Sequence, residues 1–151
     1  MDKKIRIAID AMGGENSPHK NIEGLYLFYK KNKSKKDFFF NIFGNEHKIN
    51  ERIRTFDLPK SVFKIYHTES TVSDNETPLT AVKSSKNSSM WNCVFSQTKS
   101  ESDISLSAGN TGVLLVISRM ILKTIEGVSK PALAGLWPNN IGMNIVLDLG
   151  A

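Results

Sequence analysis

Short runs of β-branched and aromatic residues alternate with helix-periodic segments along the first part of this chain, and no other feature constrains its fold as much. "KIRIAID" is isoleucine-rich with a period of two, so Ile5 to Ile9 reads as a strand with Asp10 at its carboxyl end. "AMGGENSP" supplies turn glycines, a candidate N-cap in Ser17 and a proline, Pro18, at the first helical position. Ile22, Leu25, Tyr26 and Tyr29 then share one helical face, which the lysine-rich run from Lys30 to Lys36 ends. "FFFNIFG" is a second strand closed by Gly44. Ile49, Ile53 and Phe56 space a helix over residues 46–56, and residues 62–66 form a third strand. The order β-α-β-α-β predicts an α/β fold: a mainly parallel sheet with helices on both faces.

The remainder continues the alternation. A long polar connection, "HTESTVSDNETP", carries Asp74 and Glu76 and exceeds the usual length of loops in compact domains. Thr77 and Pro78 open a short basic helix ending near Lys86, and "NSSM" caps a second helix running through Phe95. A strand is expected over residues 103–106 and a helix from Thr111 to Ile125, apolar on nearly all sides and therefore expected to be buried. "ALAGLW" and "NIVLDLG" read as two more strands. The chain closes on "LDLGA", where this pattern calls for another loop and helix, so the expectation is a piece truncated at its C-terminus. In such sheets ligands bind beyond the carboxyl ends of the strands. Four turns occupy that edge: "DAMGG", "FGN", "HTES" and "SAGNTG".

Composition narrows the class. At 151 residues the chain suits one domain with a real core, and 40% hydrophobic with 23% charged residues is an ordinary globular composition. No apolar run approaches the roughly 20 residues that cross a bilayer, and the N-terminus lacks a small-residue cleavage site, so a cytoplasmic start is expected. The single cysteine, Cys93, sits among apolar residues in "MWNCVF" and reads as a buried, inert thiol. A net charge of +5 favours an acidic partner. Zinc spacing, aromatic-basic RNA signatures and basic heptads are all missing, which argues against nucleic acid. His19, His47 and His67 are dispersed and assemble no metal cluster; of the three, only His67 lies at a strand end.

The elbow "SAGNTG" holds most of the chemistry. A glycine-containing turn entering a helix presents unpaired N–H groups and partial positive charge, a natural anion site. Gly109 and Gly112 let backbone approach a ligand, while Ser107, Asn110 and Thr111 add compact donors. This suits phosphate or a developing oxyanion, and the same Gly-Asn-Thr also makes a plain helix cap; the sequence leaves both open. The elbow is not a Walker P-loop, and "AMGGENSP" is not a dinucleotide fingerprint. Lys83 and Lys86, before Ser88 and Ser89, form either a second anion-attracting group or a solvated helical face.

Taken in order, "AIDAMGGENSP", "FGNE", "IYH", "SSKNSSM", "LSAGNTG", "KPALAGLWP" and "VLDLGA" closely resemble the N-terminal half of the PlsX phosphate acyltransferases. The resemblance covers essentially the whole chain. Departures are small: Glu15 stands where the first motif more often has Asp, and Asn75 and Glu76 where paired aspartates are usual. The resemblance implies a three-layer, doubly wound sheet of the isocitrate/isopropylmalate dehydrogenase type, with residues 1–151 as the N-terminal portion of its catalytic domain. Fold alone does not settle function.

The activity implied is transfer of a long-chain acyl group from acyl carrier protein to inorganic phosphate. Acyl phosphate then feeds a glycerol-phosphate acyltransferase, which implies a cytoplasmic homodimer touching the membrane peripherally, without cofactor or metal. Gly109, Asn110, Thr111 and Gly112 are then expected to position phosphate or the oxyanion, with Ser107 lending a hydroxyl. Lys86, Ser88 and Ser89 would neutralise phosphate or the carrier's phosphopantetheine. Gly13 and Gly14 would admit ligand, and Asp10 and Asp148 would order the turns. The rivals are a phosphate acetyl- or butyryltransferase using a coenzyme A thioester, and a non-catalytic phosphate or carrier-protein binding module.

Overall fold

The computed structural model describes residues 4–32, 37–73, 77, 78, 80, 84–147 and 149. Four strands, β1 (Ile5–Asp10), β2 (Phe38–Gly44), β3 (Phe63–His67) and β4 (Ile104–Ser107), form a parallel sheet in the order β3-β2-β1-β4. Helices α1 (His19–Asn32) and α2 (Glu46–Ile53) make the first two crossovers. Ile22 and Leu25 of α1 and Ile49 and Ile53 of α2 pack with Ile7, Ile9, Phe40 and Ile42 of the strands into one buried cluster. Each such side chain contributes about 1.5–3 kcal/mol through burial. On the opposite face lies α3 (Ser89–Thr98), whose Cys93 packs with Ala8 and Phe43. Helix α4 (Thr111–Leu122) packs through Val113 and Ile117 onto Met90 and Val94 of α3. The result is a three-layer α/β arrangement.

Local chemistry explains the boundaries. Asn45 accepts from Lys48 N–H and starts α2, and Ser88 accepts from Trp91 N–H and starts α3. Two expected boundaries are corrected. Ser17 does not cap α1, since its hydroxyl donates to the Met12 carbonyl and closes the glycine turn instead. Helix α2 ends at Ile53, one turn before Phe56, whose ring stacks on Tyr26.

Two larger expectations also change. Helix α4 buries one stripe rather than its whole surface: among the described residues its buried side chains, Val113 and Ile117, pack on α3; it ends at Leu122, where Lys123 takes a left-handed conformation. The last two strands, β5 (Ala134–Pro138) and β6 (Met143–Leu147), pair antiparallel as a separate sheet rather than extending the parallel one. Their turn is closed by Asn139, whose side-chain oxygen accepts from Ile141 and Gly142 N–H. Asp74, Glu76, Lys83 and Asp148, and Lys33, Lys35 and Lys36 of the basic run, lie outside the described residues.

Candidate functional site

Strand order dictates where a site forms. The chain leaves β1 toward β2 and β3, then returns across the sheet to β4 on the other side of β1. The carboxyl ends of β1 and β4 therefore flank the point where the order reverses, the usual ligand crevice of open α/β sheets. The "DAMGG" and "SAGNTG" turns face each other there. Parallel pairing sets Asp10 beside Ser107, both on the α3 side of the sheet.

Asp10 is 2% exposed and ringed by donors. Ser107 Oγ donates to its Oδ2 at 2.7 Å and Met12 N–H to its Oδ1 at 3.2 Å. The Ser89 side chain and the Gly13 backbone N–H also hydrogen-bond this carboxylate. Burial pushes the carboxyl above its ordinary value, and these four hydrogen bonds pull it back by favouring the charged form. Ser107 Oγ also accepts from Gly109 N–H at 3.1 Å. Three motifs distant in sequence thus meet on one carboxylate: "DAMGG" through Asp10 and Gly13, "NSSM" through Ser89, and "SAGNTG" through Ser107, which in turn receives Gly109 N–H.

The glycines are there for contact. A Cβ on Gly13 would lie 2.5 Å from Asp10 Oδ2 and 2.9 Å from both Ser107 Oγ and Gly109 N. Gly14 has a φ of +85°, and a Cβ there would meet the Ala108 carbonyl oxygen at 2.5 Å. The two turns therefore touch backbone to backbone. Asn110 caps α4, its Oδ1 accepting from Val113 N–H at 3.1 Å. Thr111 is exposed in the first turn of α4 and Gly112 half-buried beside it. Within a helix the first-turn N–H groups have no partner.

Other candidates separate. Ser88 is fully buried and its hydroxyl is the α3 cap, whereas Lys86 is exposed in the turn before it. His67 lies two strands from β1; its Nδ1 accepts from Glu46 N–H at 3.1 Å and its Nε2 meets Glu69 Oε1 at 2.5 Å. It braces the start of α2. Burial pushes the Cys93 thiol up to about 12, so it stays protonated and unreactive. Asn21 escaped the sequence reading. Its Nδ2 donates to the carbonyls of Ala11 and Gly13, both at 2.9 Å, and holds the glycine turn from the first turn of α1. The signal was an asparagine in the first turn of the helix that follows the glycine turn. Among the described residues, no group of His, Cys, Asp and Glu is placed to hold a metal ion, and no helix is long and apolar enough to cross a membrane.

Residues 5–151 match the sequence model of the family described as fatty acid synthesis protein. The chain is 50% identical over 151 residues to the phosphate acyltransferase of Pelagibacter ubique (strain HTCC1062), covering all of this chain and 44% of that protein. It is 37% identical over 152 residues to the phosphate acyltransferase of Rhodopseudomonas palustris (strain BisB5) and 36% identical to that of Bradyrhizobium diazoefficiens, covering 42% of each. The chain therefore spans less than half the length of these relatives.

Proposed function

This chain belongs to the fatty acid synthesis protein family, and on that premise we propose that it is part of a phosphate acyltransferase, with the meeting of β1, α3 and β4 at Asp10 as the foundation of the site. The reaction takes an acyl group from the thioester of acyl carrier protein to inorganic phosphate. A phosphate oxygen attacks the thioester carbonyl, the tetrahedral oxyanion collapses, the C–S bond breaks, and the thiolate leaves to take up a proton. Acyl phosphate and free carrier protein result. Phosphate is already a nucleophile, so the protein's task is to hold it in line and stabilise charge as it develops.

The single observation that carries this reading is the elbow's placement. The start of α4, with Asn110 as its cap and Gly109 and Gly112 on either side, lies at the reversal point of the sheet, where first-turn N–H groups and the positive end of the helix dipole favour phosphate or an oxyanion. Thr111 offers an exposed hydroxyl there, and Lys86 a cation on the turn leading to α3. Asp148 belongs to the proposal only as a turn-ordering residue. The +5 charge suits an acidic carrier protein. A homodimer at the cytoplasmic membrane face, supplying a glycerol-phosphate acyltransferase, completes the proposal.

Asn110→Asp tests it. Aspartate is as good a cap as asparagine but sets a negative charge where phosphate must sit. In the full chain, acyl phosphate formation from acyl carrier protein should fall about 100-fold or more, a loss of roughly 2.7 kcal/mol in transition-state binding, with thermal stability unchanged. Unaltered turnover would reduce the elbow to a helix cap. Turnover with a coenzyme A thioester in place of the carrier would favour an acetyl- or butyryltransferase, and binding without turnover a non-catalytic module.

A further inference from the structure

We infer that Asp10 is a positioning residue that acts through Ser107 on the Gly109 peptide, so that neither Asp10 nor Ser107 touches substrate. The inference rests on the phosphate acyltransferase reading above and gives Asp10 and Ser107 a supporting part in it.

The argument is one of hydrogen-bond capacity. An ionised carboxylate accepts at about four lone-pair positions. Asp10 has four donors: Ser107 Oγ, Met12 N–H, Gly13 N–H and the Ser89 side chain. With these donors around it and 2% exposure, the carboxylate is turned to the protein rather than to a ligand. Gly13 closes the last approach, since even one added carbon there would lie 2.5 Å from Oδ2.

Ser107 is equally committed. A serine hydroxyl has one hydrogen, and this one points to Asp10 at 2.7 Å. Donating to a carboxylate makes the same oxygen a stronger acceptor, and it receives Gly109 N–H at 3.1 Å. The Gly109 N–H is thereby turned inward to the sheet. The chain then passes through the Asn110 cap into α4, where the N–H groups of Thr111 and Gly112 begin the helix. The Asp10–Ser107–Gly109 series thus sets the phase at which the elbow enters its helix. Ser89 ties the same carboxylate to α3, the helix against which α4 packs, so both supports of the elbow share one anchor. An exposed anion-binding turn can in this way rest on a buried anion, because the donors around the carboxylate stabilise its charge.

The test is a double-mutant cycle in the full chain with Asp10→Asn, Ser107→Ala and the pair, measured with inorganic phosphate and acyl carrier protein thioester. Each single change should raise the phosphate KM and lower kcat about tenfold or more while leaving the KM for the acyl donor in place. The double variant should be no worse than the poorer single. Exchange of the Gly109 amide should quicken in both singles, a readout that a loss of general stability would spread over the whole sheet. Losses that multiply, singles that match the wild type, or a Gly109 amide that keeps its protection would overturn the inference while leaving the acyltransferase reading intact. A wild-type chain without turnover would remove that reading and this inference together. If Asp10→Asn does not fold, the cycle of Ser89→Ala with Ser107→Ala reads the same linkage, and multiplying losses there would overturn it equally.

Discussion

A methyl group at Gly13 has nowhere to go. The carboxylate, hydroxyl and amide it would strike are fixed by one another and by the backbone on both sides. Gly13→Ala should therefore lower stability by about 1–3 kcal/mol, the usual scale of overpacking, read as a drop in the urea midpoint at constant slope. Cys93 permits a signed pH prediction. Its folded-state value, about 12, lies above the ordinary 9.0, so the native state holds this proton more tightly than the unfolded chain does. The stability from the neutral thiol is complete below the ordinary value and drains as pH rises toward the folded one, by up to about 1.4 kcal/mol per pH unit. Urea titrations on either side of that ordinary value should show a steeper alkaline loss in wild type than in Cys93→Ala. The sequence foretold the inert thiol, because a lone cysteine among apolar residues is a burial signal. It could not foretell that Asp10 and Ser107 share a hydrogen bond, since 97 positions separate them and only strand register makes them neighbours.

At the scale of elements, local chemistry was readable where it acts within a few residues. "NSSM" announced a helix start, and Ser88 is that cap. Ser88→Ala should cost about 0.5–2 kcal/mol, seen as a lower melting temperature, with Ser88→Asp recovering less than a surface cap would because Ser88 is fully buried. Ser17 shows the opposite case. It satisfied the sequence pattern of a cap before a proline, but the glycine turn brought the Met12 carbonyl within 2.8 Å and took its hydroxyl. Helix α4 differed for a related reason. Its apolar residues run round the helix, yet burial depends on how many neighbours the helix meets, and among the described elements it packs on α3.

For the whole molecule, the β5–β6 hairpin is the part whose pairing the alternation of segments did not show. Leu136 is 67%, Trp137 63% and Ile145 70% exposed, on a sheet that has two strands among the described residues. Such a surface promotes association. The isolated 151-residue chain should self-associate with rising concentration in sedimentation, and Leu136→Lys with Ile145→Lys should suppress this without changing far-ultraviolet ellipticity; a monomer at all concentrations would count against it.

By itself the sequence determined the order and kind of the first elements, the glycine turns at the strand ends, the caps at Ser88 and Asn110 and the resemblance that named the family. These follow from periodicities of two and 3.6 residues and from side chains that reach their own backbone. Tertiary structure alone decided that β4 returns beside β1, and so that Asp10, Ser89 and Ser107 meet. It also decided that the last two strands pair with each other, because which strand lies next to which is a property of the packed sheet and is written in no short stretch of chain.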